Sequence, residues 1–125
     1  MVYNLYNLNI ETPFEVDKYF DICKLKPSSG IDVQIVKSRI NFKQLSLSKN
    51  ENYDLFSSKK YTEIYKRNIG KFVIENGRKI TFEPIDEIKE VNLIVYLLSN
   101  IFSYLLYQRG HIVLHAAAIA IDNKS

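Results

Sequence analysis

Imidazole and thiol, the side chains with the widest chemical range, occur only at His111, His115 and Cys23. In a strand, the spacing of the two histidines places both on one face, about 13 Å apart. That separation is too large for them to share one metal ion directly. The position of His111 directly after the predicted helix end favours an exposed side chain, and the spacing alone favours a structural His115. No activating partner lies near Cys23 in the sequence, so we predict a small core residue there.

The two histidines belong to the segment from Gln108 to Ser125. We predict that a long apolar helix ends at Gly110, because glycine adopts the left-handed conformation that closes helices. An alanine-rich apolar run follows and ends at Asp122-Asn123, a turn signal. This pattern predicts a terminal strand from about Ile112 to Ile121. An apolar strand with an open edge is a template for another strand, so we expect self-association or a partner chain that supplies the neighbour.

The run Leu114 to Lys124, LHAAAIAIDNK, resembles the strand that precedes the P-loop in HPr serine kinase-like proteins. It is also similar to the corresponding strand of ATP-dependent phosphoenolpyruvate carboxykinases. The match covers roughly Leu106 to Lys124 and includes the helix ending Gln-Arg-Gly. The resemblance implies ATP and Mg²⁺ as cofactors of the complete family members. It also implies that His115 lies beside the transferred phosphate as a catalytic residue, or binds the divalent metal as in the carboxykinases.

In that family the strand is followed by a second strand, which leads into a phosphate-binding loop of the form G-x-x-x-x-G-K-[ST]. This sequence contains no such loop. Without the backbone N–H groups and the lysine of that loop, a nucleoside triphosphate lacks its phosphate cradle. We therefore expect this chain to be the N-terminal, pre-P-loop part of an HPr kinase-like ATP-binding protein. It would be an incomplete kinase-like fold with no cofactor and no catalysis of its own. The P-loop core would be missing or supplied by another chain.

The distribution of charge supports an alternative function. Residues 37–79 contain eleven Lys/Arg against four Asp/Glu, whereas residues 1–36 and 80–125 each contain three against five. Solvated strand faces and loops are the simpler explanation of this basic segment, and an anion-binding face is the other. On the second explanation the chain is a stand-alone binding or regulatory module for a phosphorylated or acidic partner. No nucleic-acid-binding motif lies in the segment, and we do not expect a nucleic-acid partner.

The elements that position these residues predict an α+β domain. The sequence around Asn76-Gly77 predicts a β-hairpin over residues 71–83, because both positions tolerate the positive φ of a type I′ turn. Alternation of apolar and polar residues predicts further strands over residues 2–10, 31–36 and 61–65. Residues 14–25 suit either a short helix or a loop, and residues 46–60 suit a surface loop. We expect an antiparallel sheet of these N-terminal strands.

One long helix is predicted from about Glu87 to Arg109, with Asp86 as its N-cap. Its apolar stripe comprises Val91, Ile94, Val95, Leu98, Ile101, Phe102 and Leu105. The uncharged run of about 18 residues barely reaches the length of a membrane span, so we expect a core helix and no membrane association.

Length and composition bound the remaining possibilities. A chain of 125 residues fits one domain, residues 1–125, with one sizeable core. The single cysteine excludes an internal disulfide and suits a reducing compartment. The first ten residues lack the basic and apolar regions of a signal peptide. We therefore expect a cytoplasmic protein.

Overall fold

The computed structural model describes residues 1–47 and 51–110, in which one helix lies across one face of an eight-stranded sheet. The strands are β1 (Val2–Leu5), β2 (Leu8–Glu11), β3 (Cys23–Leu25), β4 (Val33–Lys37), β5 (Tyr53–Ser57), β6 (Tyr61–Lys66), β7 (Gly70–Glu75) and β8 (Lys79–Pro84). The helix α1 spans Glu90–Gln108, and a 3-10 turn spans Val16–Lys18. The order across the sheet is β3-β1-β2-β4-β8-β7-β6-β5. The α+β class is confirmed.

The prediction of a wholly antiparallel sheet is wrong at β4. This strand lies between β2 and β8 and pairs with both in parallel, with Ile35 opposite Ile80. Parallel neighbours need long connections. Here β3 is inserted between β2 and β4, and the β5–β6–β7 meander is inserted between β4 and β8. The carboxyl ends of β2, β4 and β8 therefore lie at the same edge of the sheet.

The predicted hairpin over residues 71–83 is confirmed as β7 and β8. Phe72 lies opposite Phe82, and Ile74 lies opposite Ile80. The turn residues Asn76 and Gly77 have φ of 53° and 60°, as a type I′ turn requires.

The single strand predicted over residues 2–10 is instead a second hairpin, β1–β2. Its turn residues Tyr6 and Asn7 have φ of 53° and 62°. Positive φ is costly for tyrosine, and local sequence therefore gives little signal for this turn. Tertiary contacts support it, because the Tyr6 ring stacks on Phe102 with centroids 5.5 Å apart. The Tyr6 hydroxyl also donates to the Leu98 carbonyl at 3.4 Å.

Both outer strands depart from the predictions. Cys23 lies exposed on β3, so the predicted core position for its side chain is wrong. The predicted surface loop over residues 46–60 contains β5, which pairs antiparallel with β6. An edge strand has one partner and an incomplete apolar face. The alternation of apolar and polar residues along such a strand is therefore weak, and the local sequence pattern does not reveal the strand.

The helix begins at Glu90 rather than at about Glu87, and Lys89 rather than Asp86 occupies its N-cap position. Its buried side chains differ in part from the predicted stripe, because Val95 is 47% exposed. The most buried apolar side chains are Leu93, Ile94, Leu97, Ile101, Phe102 and Leu105. Side chains four residues apart in an α-helix differ in direction by about 40° around the helix axis, so a stripe with this spacing turns gradually away from the sheet. A π-helical segment, Leu97–Ile101, widens one turn and keeps both of its ends buried.

The helix is long and apolar enough, by length and composition alone, to cross a membrane. In the fold it packs against the sheet, and its buried side chains form one core cluster with Ile35, Phe72 and Ile80. The core helix of a globular domain can have the same length and composition. A helix of that kind buries its apolar face against the rest of the domain, as this helix does against the sheet.

The opposite face of the sheet is crossed by residues 38–47, which we call the strap. Ile40 in the strap is buried. Two carboxylates of the sheet accept hydrogen bonds from strap main-chain N–H groups. Glu83 accepts one from Ile40 at 2.8 Å, and Glu63 accepts one from Lys43 at 2.7 Å. The Glu63 carboxylate also accepts from the N–H groups of Gln44 and Leu45, at 2.9 and 2.8 Å.

Glu63 is a fully buried carboxylate whose acceptor positions are occupied. Besides the three strap N–H groups, the Tyr61 hydroxyl donates to Glu63 Oε2. Burial on its own raises the pKa of Glu63, but the hydrogen bonds from Tyr61 and the strap outweigh burial and lower that pKa. Burial and the bond to Glu63 raise the pKa of Tyr61. We assign Glu63 a structural role, because an acceptor with four donors is not available as a base.

Glu63→Gln should destabilise the fold by about 2–4 kcal/mol, because an amide nitrogen replaces an acceptor and the bonds lose their charge. Since the pKa of Glu63 is lowered in the folded state, its stabilising contribution is complete above the ordinary carboxyl pKa of 4.5 and is lost as the pH falls below it. Urea unfolding between pH 3 and 7 measures both effects. The matched change at the exposed Glu87 should cost less than about 0.5 kcal/mol. Equal costs for the two variants would contradict the assignment.

Candidate functional site at the helix exit

The carboxyl end of α1 is attached to the β7–β8 turn by the side chain of Gln108. The Gly77 N–H donates to Gln108 Oε1 at 2.9 Å. Gln108 Nε2 donates to Thr62 Oγ1 at 2.9 Å and to the Ile74 carbonyl at 3.0 Å. One amide group therefore joins the helix to β6, to β7 and to the turn. Each of these bonds satisfies a polar group at the border of the core.

Arg109 completes this attachment, which we call the exit clamp. Its Nη1 donates to the Gly77 carbonyl at 2.7 Å. Its side chain covers Gly77, which is buried although it lies in a hairpin turn. A Cβ on Gly77 would come within 2.6 Å of Arg109 Cγ. Glycine is thus required at this position both for its φ of 60° and for the close approach of Arg109.

The helix ends at Gln108, and the predicted closing glycine, Gly110, follows it in the left-handed conformation with a φ of 82°. The Gly110 N–H donates to the Tyr107 carbonyl at 2.9 Å and so satisfies one of the last helical carbonyls. The exit clamp fixes the residues immediately before this glycine. The last turn of the helix is therefore held in place by contacts with β6 and with the β7–β8 turn.

The same end of the sheet carries a group of cationic side chains. The β5–β6 and β7–β8 turns lie side by side there, because the Asn76 N–H donates to the Lys60 carbonyl at 2.9 Å. The cations on these turns and at the helix exit are Lys59, Lys60, Arg78, Lys79 and Arg109, which we call the basic end. All but Arg109 are exposed. A cleft of about 430 Å³ lies among Lys60, Asn76, Arg78 and Gln108 and is open on its outer side.

A second cleft, of about 660 Å³, lies at the opposite end of the sheet, beyond the carboxyl ends of β4 and β8. Its walls carry both signs of charge, including Lys37, Arg39, Asp86 and Glu90, around an apolar floor that includes Phe14. Ligands of open sheets with parallel strands often bind at such an edge. Here the opposed charges do not select one class of ligand.

Tyrosines around the helix, among them Tyr96, Tyr53 and Tyr3, have raised pKa values. Burial, and secondarily the charge of Tyr104, raises the pKa of Tyr96 to about 12. Burial and a hydrogen bond with Tyr104 raise the pKa of Tyr53. Burial and a hydrogen bond to Asp17 raise the pKa of Tyr3. These hydroxyls stay protonated at neutral pH, so they act as packing and hydrogen-bonding groups rather than as bases.

The predicted catalytic or metal-binding residue, His115, and its neighbour His111 lie outside the described residues, as does the predicted strand over residues 112–121. Cys23 lies on β3, the outer strand beside the N-terminal hairpin, and is remote in strand order from the exit clamp. Among residues 1–47 and 51–110, no group of three His, Cys, Asp or Glu side chains is arranged to hold a metal ion.

The role of Gln108 was missed in the sequence, where it formed only part of a helix ending. The sequence does contain one signal for this role, a polar residue in the last turn of an otherwise apolar helix. A polar side chain that is buried there needs hydrogen-bond partners. Comparison with family models, curated proteins and solved structures finds no match to the chain.

Gly77→Ala should destabilise the fold by about 2–3 kcal/mol, because it adds left-handed strain to the steric contact with Arg109. Chemical denaturation measures the loss. In an Arg109→Ala background the same change should cost about 1 kcal/mol less, because the steric part is gone. The control is Gly30→Ala, where an added Cβ meets nothing within 4 Å. Additive costs of the Gly77 and Arg109 changes would contradict the exit clamp.

Proposed function

We propose that residues 1–110 are the scaffold that precedes the nucleotide-binding core in an HPr kinase-like ATP-binding protein. The observation that carries this proposal is the exit clamp. It fixes Gln108 and Arg109 directly before Gly110 and the segment that resembles the pre-P-loop strand. Catalytic groups must be held to within about 0.5 Å by their supporting structure. Four hydrogen bonds fix the helix exit, and in this proposal that fixed end is where the segment containing His115 begins.

In this proposal the chain contributes positioning, and the phosphate cradle comes from a P-loop core. His115 lies beside the transferred phosphate or binds the divalent metal, and ATP and Mg²⁺ belong to the complete assembly. A protonated imidazole stabilises phosphate charge, whereas a neutral imidazole ligates a metal. The protein works in the cytoplasm, in keeping with its single cysteine. Its partner is the P-loop core or a second copy of the chain.

The alternative, a stand-alone binding or regulatory module, is favoured by the basic end. Four of its five cations are exposed on two adjoining turns. Such a surface attracts acidic or phosphorylated partners over a distance set by ionic strength. This function needs neither His115 nor a P-loop.

The first experiment is to sequence the genomic DNA that follows the Ser125 codon. The kinase-like proposal expects a reading frame that encodes a strand and then G-x-x-x-x-G-K-[ST]. A frame with no such loop, in the same or an adjacent gene, would remove its main support.

The second experiment is calorimetric titration of residues 1–125 with Mg-ATP. We expect no saturable heat, because the sequence lacks the phosphate cradle. The chain combined with the P-loop core should bind Mg-ATP, and His115→Ala should slow phosphoryl transfer about 100-fold or more. Low-micromolar binding to residues 1–125 alone would contradict the proposal.

A further inference from the structure

The geometry points to the basic end as a docking surface for an acidic segment of a partner protein, recognised through several carboxylates. The contacts are made by Lys59, Lys60, Arg78 and Lys79, on the two turns beside the helix exit. This inference deepens the binding-module alternative by naming its residues and the chemistry of its partner. It is independent of the P-loop and of His115.

The cations are carried on a rigid support. The two turns are joined by the hydrogen bond from the Asn76 N–H to the Lys60 carbonyl. The β7–β8 turn is fixed from below by Gln108 and Arg109, through both the N–H and the carbonyl of Gly77. The side chains at Lys60 and Arg78 therefore start from backbone positions that do not need to be ordered on binding. Such preorganisation lowers the entropic cost of association.

The shape of the surface favours a protein over a small molecule. Sites for small molecules are concave and enclose most of their ligand. The cleft among Lys60, Asn76, Arg78 and Gln108 is open on its outer side, and the other exposed cations of the basic end, Lys59 and Lys79, lie outside it. An extended acidic segment can contact both turns at once, whereas a single small anion can reach only part of the surface.

The types of cation favour carboxylates spread over a surface rather than one phosphate group. Tight phosphate recognition typically uses arginine forks that bind two oxygens together. Arg109 already uses its guanidinium on the Gly77 carbonyl, and it is only partly exposed. That leaves one exposed arginine, Arg78, among three lysines, Lys59, Lys60 and Lys79. Lysines act as flexible point charges and suit several separated carboxylates.

Acidic residues of the chain itself border this surface and limit its extent. Glu75 pairs across the β7–β8 hairpin with Lys79. On its other side Arg78 borders a smaller depression that contains Glu11 and Asp32. The Asp32 carboxylate accepts from the Asn9 N–H at 2.8 Å, and Glu11 accepts from the Gln34 side chain at 3.2 Å. Both acids keep their negative charge and limit the cationic surface on this side, whereas the four residues that line the cleft around Lys60 include no carboxylate.

The test is fluorescence anisotropy with the full chain and a labelled twelve-residue peptide of alternating glutamate and serine. A peptide of alternating glutamine and serine is the uncharged control. The acidic peptide alone should bind, and its affinity should fall steeply between about 50 and 300 mM NaCl, because the charges are exposed. Lys60→Gln combined with Arg78→Gln should weaken binding about tenfold.

The matched control, Lys66→Gln with Arg67→Gln, changes two cations at the other end of β6, the last residue of that strand and the residue after it. It removes the same charge and should change the affinity less than about twofold. Lys59→Gln with Lys79→Gln is a second test pair, and thermal unfolding verifies that every variant is folded. Amide chemical shifts should change at residues 58–60 and 76–79 when the peptide is added.

Several results would overturn the inference. These are equal losses in the test and control pairs, binding of the glutamine peptide, or preference for tripolyphosphate or a phosphoserine peptide of equal charge. Retention of affinity at high salt would also overturn it. If the acidic peptide does not bind, the docking surface is wrong, and the outcome of the Mg-ATP and genomic tests does not change. If those tests contradict the kinase-like proposal, peptide binding is not affected, so the two proposals can be distinguished.

Discussion

The side-chain amide of Gln108 is the interaction on which the arrangement of this domain depends. It lies where the helix, β6 and the β7–β8 turn meet, and it bonds to a backbone donor, a backbone acceptor and a buried hydroxyl. A shorter side chain would leave these polar groups unpaired beside the core, which is more costly than the bonds themselves are favourable. The position of the helix end against β6 and the placement of the cations on the β7–β8 turn both follow from this contact.

The two faces of the sheet are stabilised by different physics. On the helix side, buried apolar side chains from five strands and the helix exclude water and fill one core. On the other side, the strap is attached by buried charge. Glu63 accepts from three consecutive strap N–H groups, and Lys71 Nζ lies 5.5 Å from the centre of the Phe42 ring. The second face is therefore sensitive to pH and to single polar substitutions in a way that the first is not.

The sequence predicted the features that local chemistry determines. Asn76-Gly77 specified its hairpin, and the apolar stripe with Gly110 specified a helix and its end. It did not predict the turn at Tyr6-Asn7, whose strained backbone is supported by Phe102, about 95 residues away in the chain. The parallel pairing of β4 and the hydrogen bonds of Gln108 likewise arise from partners distant in sequence. Of the candidate site, the basic character was visible in composition, but its grouping on two adjoining turns required the pairing of strands.

The position of β4 between β2 and β8 has a consequence for how the domain is assembled. Ile35 pairs with Ile80, so closing this contact spans 45 residues. The β5–β6–β7–β8 meander forms from neighbouring hairpins, and its loops are inexpensive to close. During synthesis, β4 therefore lacks a partner on one of its hydrogen-bonding edges until β8, which ends at Pro84, has emerged from the ribosome. Such non-local pairing slows folding and exposes strand edges to other chains. Until β8 is in place, the N-terminal half of the chain is therefore open to pairing with other strands.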